Sequence, residues 1–563
     1  MPPFDAASVA WRTTRAHDGA PELRRALGPL ERGFYWDACF DGVALLINRL
    51  ALEAAPGAGR VLDGRNVRAA WLRLKQRFPL LGAVVEERDG GDCVEFVLRE
   101  DKLRSMRPGE FTVLEEFAGE EDALRYADAL LTGHTVLSNE LLARVYVARQ
   151  RGAPRVLHVF IPVVHFITDG VGNATIEREL CQELAKLSED PVADVPPLHV
   201  RVQALLPVEA YSPALKLSMP RRRWRAAIAK VIDDLRLERI RGGHTLPLLP
   251  PPPPGTPPRS RTLGFPLSPA LSLKVAQGCH ALGLTLGSAL PVLSALAFAR
   301  VLHRLHARGA LSSADLARRR REPMYFSGPI SFRPFLDRAW LRAGGWNEVC
   351  IAISYYGFTL PFMPGGAGDD DGSGAPAFAQ LLSPERFVLR ARRAAAQARD
   401  QLAHPLLDEF HLLLMPKRSR QRRAMALAWR ARQAGRPPPA DAPQGDTFED
   451  WAPWVVANGG ASLGNRDLLI PASYPLAPKG APPPEPVLRL RVAEHDMRSC
   501  AGERYLGAMT ARGVLTFFCC VDENCHDAGL AGEWTAEVRD AALHYLVHAN
   551  PRLKDGEPPA ARL

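Results

Sequence analysis

Residues 156–187 read as a strand, a tight turn and a helix in succession, and this unit constrains the fold of the chain more than any other stretch. A mostly apolar run from Val156 to Val164 ends at His165, and Asp169-Gly170 follows four residues later. Beyond the glycine, isoleucine and leucines recur at helical spacing at positions 176, 180, 184 and 187. His165 is therefore predicted to leave the end of a strand, and Asp169 to lie in the turn before a helix. Because proline lacks an N–H, Pro162 predicts that this strand lies at a sheet edge or contains a bulge.

Strand and helix patterns recur on both sides of a proline-rich stretch at 248–258. A chain of 563 residues is too long for one compact core, so we expect two domains or lobes. Consecutive prolines are typical of a stiff connector. The sequence therefore predicts an α/β protein with a first lobe at 1–195, a connector at 196–262 and a second lobe at 263–563. Low-complexity inserts are predicted near 364–376 and 436–445.

His165 and Asp169 are the candidate functional residues of the turn. A histidine with an ordinary pKa near 6.5 is largely neutral at pH 7 and can take a proton from an alcohol, amine or thiol. Such general-base assistance is worth about 10² to 10⁴ in rate. Gly170 leaves room for a substrate to approach the imidazole. Asp169 has two open roles, orienting the imidazole or forming an ion pair elsewhere. The plainer alternative is a packed histidine followed by a helix-capping aspartate.

Five separated segments carry a resemblance to a known family. They are Val67–Leu81, which ends in Arg-Phe-Pro-Leu-Leu, then Val163–Gly170, Leu284–Ser288, Ile330–Phe335 with Arg333 before a proline, and Gly460–Gly464. In their order and type they resemble the motifs of the chloramphenicol-acetyltransferase-like, CoA-dependent acyltransferase superfamily. The chain is most similar to its alcohol O-acetyltransferase and condensation-domain branch.

The resemblance implies a two-lobed α/β fold in the shape of a V, with the active site in a tunnel between the lobes. It implies that His165 is the general base, and that Asp169 points away from the substrate and pairs with Arg333. Residues that would line the channel or the substrate are Ser462, Gly464 and Tyr355. The co-substrates would be acyl-CoA, or a carrier-protein thioester, and a small-molecule acceptor. Neither a metal nor a permanently bound cofactor would be required, because a thioester is already activated.

Val164 departs from the pattern of condensation domains, which usually carry two adjacent histidines. The single histidine favours a stand-alone O-acyltransferase acting on an alcohol. Two alternatives stay open on the same fold: a condensation-type enzyme that forms amides or uses a carrier protein, and a binding protein without turnover.

Three other patterns suggest different chemistry. His404 and Asp408 repeat the H-x-x-x-D spacing, but Glu409 replaces the glycine and no strand precedes them. Gly460 to Gly464 fits the G-x-S-x-G elbow of a serine hydrolase, with Ser462 as nucleophile and Asp496 and His526 later in the chain. The residues after Ser462 are a poor helix, which disfavours that elbow. The cluster Cys519, Cys520, Cys525 and His526 lacks a second ligand pair at the spacing of a zinc finger.

The composition narrows the class of protein and its compartment. The net charge of +9 suits an anionic ligand, but the arginines are spread over segments such as 221–225 and 318–321, which are more typical of solvated helix faces. No nucleic-acid motif is present, and no apolar run approaches the roughly 18 residues of a membrane span. The start of the chain lacks the pattern of a signal peptide, and nine cysteines are sparse for this length. We therefore expect a cytoplasmic enzyme, and a monomer.

Overall fold

The computed structural model describes residues 4–187, 190, 192–250, 252–253, 256–361, 372–439, 454–478 and 480–549. Most of the two predicted inserts at 364–376 and 436–445 lies outside these ranges. Within them the chain is a mixed α/β protein built on three sheets. The predicted fold class is confirmed.

The strands, in chain order, are Arg12–Arg15 (β1), Pro21–Ala26 (β2), Leu46–Ala54 (β3), Val84–Arg88 (β4), Cys93–Leu98 (β5), Phe111–Val113 (β6), Val145–Gln150 (β7), Ala153–Val163 (β8), Ser260–Pro266 (β9), Met324–Ser331 (β10), Ile353–Leu360 (β11), Val456–Asn465 (β12), Ser473–Tyr474 (β13), Leu488–Met497 (β14), Tyr505–Ala511 (β15) and Val514–Asp522 (β16).

The helices are Pro29–Ala38 (α1), Gly64–Arg77 (α2), Glu100–Leu103 (α3), Glu120–Leu131 (α4), Gly170–Ala185 (α5), Leu198–Arg201 (α6), Met219–Arg239 (α7), Pro269–Ala281 (α8), Leu286–Ala307 (α9), Ser313–Arg319 (α10), Arg338–Arg342 (α11), Phe378–Leu381 (α12), Pro384–Leu402 (α13), Leu407–Gln433 (α14) and Ala528–Leu543 (α15).

The strand that carries the histidine motif lies in the middle of a six-stranded sheet. The order of this sheet is β13-β14-β3-β8-β7-β6, and β8 pairs antiparallel with both β3 and β7. The expectation of an edge strand, drawn from Pro162, is therefore wrong, and the register shift between β8 and β7 lies at the far end of the strand from Pro162, at Arg149 and Gln150. The carbonyl of Pro162 accepts from the N–H of Arg144, the residue just before β7. Pro162 therefore lacks its N–H just beyond the end of the pairing between β8 and β7, so the sheet loses few hydrogen bonds.

Two strands from late in the chain complete this first-lobe sheet. β14 pairs with β3 over most of its length, and the short strand β13 pairs with β14. Both strands fall within the predicted second lobe at 263–563. The first-lobe sheet is therefore built from two separate parts of the chain. A four-stranded sheet, β1-β2-β5-β4, contributes apolar residues to the same core as the first-lobe sheet. The domain bounds at 195 and 262 stay a prediction.

The second six-stranded sheet has the order β11-β10-β12-β15-β16-β9. Helices α9 and α15 pack together on it, and their apolar residues form a core separate from that of the first lobe. Among the described residues one helix, α9, is long and apolar enough to cross a membrane, but 78% of its apolar window is buried inside the protein. Core helices of globular proteins pass the same test.

The long helix α14 connects the two halves. It lies in the second half of the sequence, yet it packs along α1 of the first half. This contact brings arginines of α14 next to the histidine turn, and it shapes the site described below.

Candidate active site

His165 lies two residues beyond the end of β8 and begins a short 3₁₀ turn, His165–Ile167. Its Nδ1 lies 2.8 Å from the carbonyl oxygen of Thr168. A carbonyl only accepts, so Nδ1 must carry the proton, and Nε2 then holds the lone pair of the neutral ring. The backbone of the turn therefore selects the tautomer that a general base needs.

The imidazole lines a cavity of about 150 Å³. Its wall combines the apolar side chain of Val164 with polar groups from α1, from the loop before β7 and from α14: Tyr35, Cys39, Ser138, Asn139 and Arg430. Arg430 is held by Glu87 at 2.9 Å, and Tyr35 donates to the same carboxylate at 2.7 Å. The cavity thus offers both apolar surface and hydrogen-bonding groups beside His165.

Burial lowers the pKa of His165 below its ordinary value of 6.5, and the positive charge of Arg418 acts in the same direction. The negative charge of Asp169 and the backbone carbonyls oppose this shift but do not outweigh it. A lowered pKa keeps the ring neutral, and therefore able to accept a proton, across the neutral pH range.

Two aromatic and charged contacts hold the ring from behind. The ring of Phe34 stacks on the imidazole with centroids 4.3 Å apart and an interplanar angle of 26°. The guanidinium of Arg418 lies 4.3 Å from the centroid of Phe34. Arg418 forms an ion pair with the buried Asp37, which Arg422 also contacts at 2.8 Å.

Sequence reasoning missed this stack. Phe34 lies in α1 and Arg418 in α14, more than 380 positions apart, and neither belongs to a motif. The arginines of α14 resemble those of other arginine-rich segments, which by sequence are more typical of solvated helix faces. The aromatic run at 34–36 was the one available signal, and it is equally typical of a core.

Asp169 directs its hydrogen bonds away from the imidazole. Its Oδ1 accepts from the N–H groups of Val171 and Gly172 at 3.0 and 2.9 Å, which caps α5. Its Oδ2 accepts from Arg333 at 2.6 Å and from the N–H of Ala352 at 2.8 Å. Both oxygens are therefore engaged away from the ring, and of the two roles open to Asp169 the structure shows the ion pair.

The ion pair joins the two lobes. Asp169 precedes α5 of the first lobe, whereas Arg333 follows β10 of the second, and the side chain of each is at most 2% exposed. Arg333 also donates to the carbonyls of Glu348 and Cys350 at 3.1 Å. Burial by itself would raise the pKa of Asp169, but the charge of Arg333 and the hydrogen bonds hold it below 3.8. Breaking such a buried pair costs about 3–5 kcal/mol.

The two glycines after Asp169 have different surroundings. A side chain added at Gly170 would meet no atom of the protein within 4 Å, whereas one at Gly172 would collide with the hydroxyl of Thr168 at 2.4 Å. Packing inside the protein therefore explains Gly172, which sequence reasoning passed over. The open space around Gly170 is compatible with room for a substrate.

The predicted channel residues lie in the second-lobe sheet. Ser462 lies inside β12 and borders a cavity of about 20 Å³, together with Gly287 and Tyr356. Gly464 lies at a register shift between β12 and β15. Tyr355 lies in β11, and burial raises its pKa to about 12. None of the three lines the His165 cavity in the described residues, and their channel role stays a prediction.

The other patterns do not form the sites that they suggest. Ser462 lies in the interior of β12, which continues to Asn465 and is followed by a single 3₁₀ turn. The strand-to-helix elbow of a serine hydrolase is therefore absent at this serine. In the ranges that the structure describes, no group of three or more His, Cys, Asp or Glu side chains could hold a metal ion.

Comparison with solved structures identifies the class of fold. The trichothecene 15-O-acetyltransferase TRI3 of Fusarium sporotrichioides aligns over 97% of this chain and 100% of its own, with a TM-score of 0.68 and 11% identity. The epimerization domain of tyrocidine synthetase B covers 96% and 100%, with a TM-score of 0.56 and 12% identity. The first condensation domain of the calcium-dependent antibiotic synthetase covers 95% and 99%, with a TM-score of 0.55 and 12% identity.

These alignments span nearly the whole chain, so it has the two-lobed chloramphenicol-acetyltransferase-like fold that acetyltransferases and condensation domains share. The resemblance inferred from the motifs is confirmed at the level of the fold. No family model matches the sequence, and no curated protein sequence matches it.

Proposed function

We propose that the chain is an O-acyltransferase that moves an acyl group from acyl-CoA to the hydroxyl of a small molecule, with His165 as general base. The observation that carries the proposal is the 2.8 Å contact between Nδ1 of His165 and the carbonyl oxygen of Thr168. The Thr168 carbonyl holds Nδ1 as the donor, so the basic Nε2 belongs to a neutral ring that lines a cavity.

The reaction would proceed in one addition and one elimination. Nε2 takes the proton of the acceptor hydroxyl while the hydroxyl oxygen attacks the carbonyl carbon of the thioester. The tetrahedral adduct then expels the thiolate, which receives the proton from the imidazolium. An ester and a free thiol result, and His165 returns to its neutral form. Positioning of the two substrates supplies much of the acceleration, and the base contributes about 10² to 10⁴.

Two features support a hydroxyl acceptor and an active enzyme. Val164 is buried and lines the cavity, so the position that carries a second histidine in condensation domains offers no hydrogen bond to an amine. The cavity reaches His165, whereas a protein that kept only the fold would need no open space there. We further propose that the enzyme acts as a cytoplasmic monomer on freely diffusing substrates.

A donor and acceptor panel tests the proposal. Purified protein is given acetyl-CoA and longer acyl-CoAs with alcohol or amine acceptors, and thiol release and product mass are measured. We expect acceptor-dependent thiol release with alcohols, and its loss in His165→Ala. Transfer to amines alone, or from a carrier-protein thioester alone, would favour the condensation-type alternative. Full activity of His165→Ala would show that His165 is not the general base.

A further inference from the structure

Helix α7 exposes a stripe of large apolar side chains. Trp224, Val231 and Leu235 are 69%, 57% and 50% exposed. Their spacing of seven and four residues places them on one face of the helix. Large apolar side chains aligned in this way mark a binding surface more often than scattered single ones do.

Basic residues surround the stripe. α7 contains seven Lys or Arg residues and three Asp or Glu residues, a net charge of +4. Arg221 and Arg223, which closely precede the exposed Trp224 in α7, are themselves exposed. Of the acidic residues, Asp234 pairs with Lys230, the half-buried Asp233 lies near Lys417 of α14, and Glu238 is exposed beside Leu235. The exposed charge along the stripe is therefore mainly positive.

The opposite face of α7 is anchored, so the stripe cannot simply turn inward. Arg225 forms an ion pair with Glu409 of α14, and the guanidinium of Arg236 lies 4.7 Å from the ring centroid of Phe410. Ala229, between them, is fully buried. The helix is thus a fixed element that presents its apolar and basic face to the outside.

We propose that this face of α7 docks the protein on an anionic lipid bilayer. An amphipathic helix with a tryptophan on its apolar face and arginines beside it lies in the plane of the interface, with the apolar side chains among the acyl chains. Arginines at the headgroup level attract anionic lipids. A second copy of the chain fits this face less well, because Asp233 and Asp234 are already engaged, which leaves Glu238 to face at least two exposed arginines.

The interaction is independent of the proposed catalytic chemistry, since no residue of α7 lines the His165 cavity. It gives the arginine run at 221–225 a binding role in place of a merely solvated one. It also concerns only the surface of a bilayer, because α9 stays buried in the second lobe.

Vesicle flotation of the full-length protein tests the proposal. We expect binding to vesicles with about a third phosphatidylserine, weak binding to pure phosphatidylcholine, and release at high salt. Arg221→Gln with Arg223→Gln should weaken binding about thirtyfold, because each basic residue near the surface contributes roughly fivefold. Trp224→Ser with Val231→Ser should weaken it at least tenfold. The matched control, Arg318→Gln with Arg321→Gln, changes the net charge equally on another arginine run and should bind as the wild type does.

Other outcomes would overturn the proposal. Equal loss in the control pair would show a response to net charge alone. A concentration-dependent dimer that Trp224→Ser abolishes, without vesicle binding, would assign the face to a second copy. Residues 440–453 carry four acidic residues. If vesicle binding appeared only after their removal, the basic face of α7 would be the binding site of this segment and not of a bilayer.

Discussion

The spacing H-x-x-x-D occurs twice in the chain, and the two copies end in different surroundings. His165 follows a central strand, and its Nδ1 donates to a carbonyl. His404 lies between α13 and α14, and its Nδ1 accepts from the N–H of Leu406 at 3.1 Å. The neutral rings therefore carry their protons on opposite nitrogens.

The second copy repeats even the neighbours of the first. Phe410 lies 4.9 Å from the ring of His404, and Arg236 lies over Phe410. Asp408 accepts from the N–H of Ala214, whereas Asp169 binds a buried arginine of the other lobe. Contact between an arginine, a phenylalanine and a histidine is therefore not sufficient to form a candidate active site. The candidate site is distinguished by the carbonyl that accepts from Nδ1 of His165 and by the ion pair of Asp169 with the second lobe.

The largest effect is expected from the two histidines. His165→Ala should lower the rate of acyl transfer about 10² to 10⁴-fold, because it removes the base, and should leave the protein folded. His404→Ala should keep the rate within a factor of about two, since surface changes usually have small effects. Steady-state thiol release and circular dichroism measure both. Equal losses in the two variants would remove the distinction between the copies.

The next largest difference is expected in how much each of the two aspartates contributes to the free energy of unfolding. Asp169→Asn leaves Arg333 buried without a counter-charge, so the free energy of unfolding should fall by about 3–5 kcal/mol. Asp408→Asn keeps an oxygen for the N–H of Ala214 and should cost about 1 kcal/mol. Urea titration of both variants measures the difference. An unchanged midpoint for Asp169→Asn would contradict the importance of the ion pair.

The ion pair of Asp169 with Arg333 also predicts how stability depends on pH in the acid range. The pKa of Asp169 is lowered in the native state, so its stabilisation is present above the unfolded value of 3.8. It is lost as the pH falls through the lower native pKa. Asp169→Asn should therefore flatten this part of the stability profile. A profile identical to that of the wild type would contradict this origin.

The stacking partners should show a smaller difference. Phe34→Leu keeps the apolar volume but loses the stack on His165, which is worth about 0.5–1.5 kcal/mol, so the rate should fall about three- to tenfold. Phe410→Leu is the matched change beside His404 and should leave the rate unaltered. A KM change without a kcat change in Phe34→Leu would indicate a substrate contact in place of ring positioning.

The smallest effect concerns the arginines behind the rings. The pKa of His165 lies below 6.5, so kcat/KM should fall only as the pH drops below that value. Arg418→Gln removes a positive charge that lowers this pKa, so the acid limb should move to higher pH by a fraction of a unit. Arg236→Gln, beside His404, should leave the limb in place. A downward shift in Arg418→Gln would contradict the electrostatic argument.

Much of the local structure follows from patterns close together in the sequence. Apolar residues before His165 and helical spacing after Gly170 predicted β8, the turn and α5. Pro162 misled because a proline forbids one hydrogen bond and does not say whether the strand has a partner there. The stack of Phe34 and Arg418 left no signal beyond the aromatic run at 34–36, because helix-helix contacts select shape and charge without fixing a motif.

The sequence by itself determined that a histidine would end a strand and that an aspartate would cap the next helix, since both depend on hydrogen bonds within a few residues. Only the tertiary structure decided that Asp169 meets Arg333, that β14 returns to the first-lobe sheet, and that α14 places Arg418 behind Phe34. These contacts join residues 164 to 445 positions apart. Their partners are chosen by the packing of whole elements, which no short stretch of chain encodes.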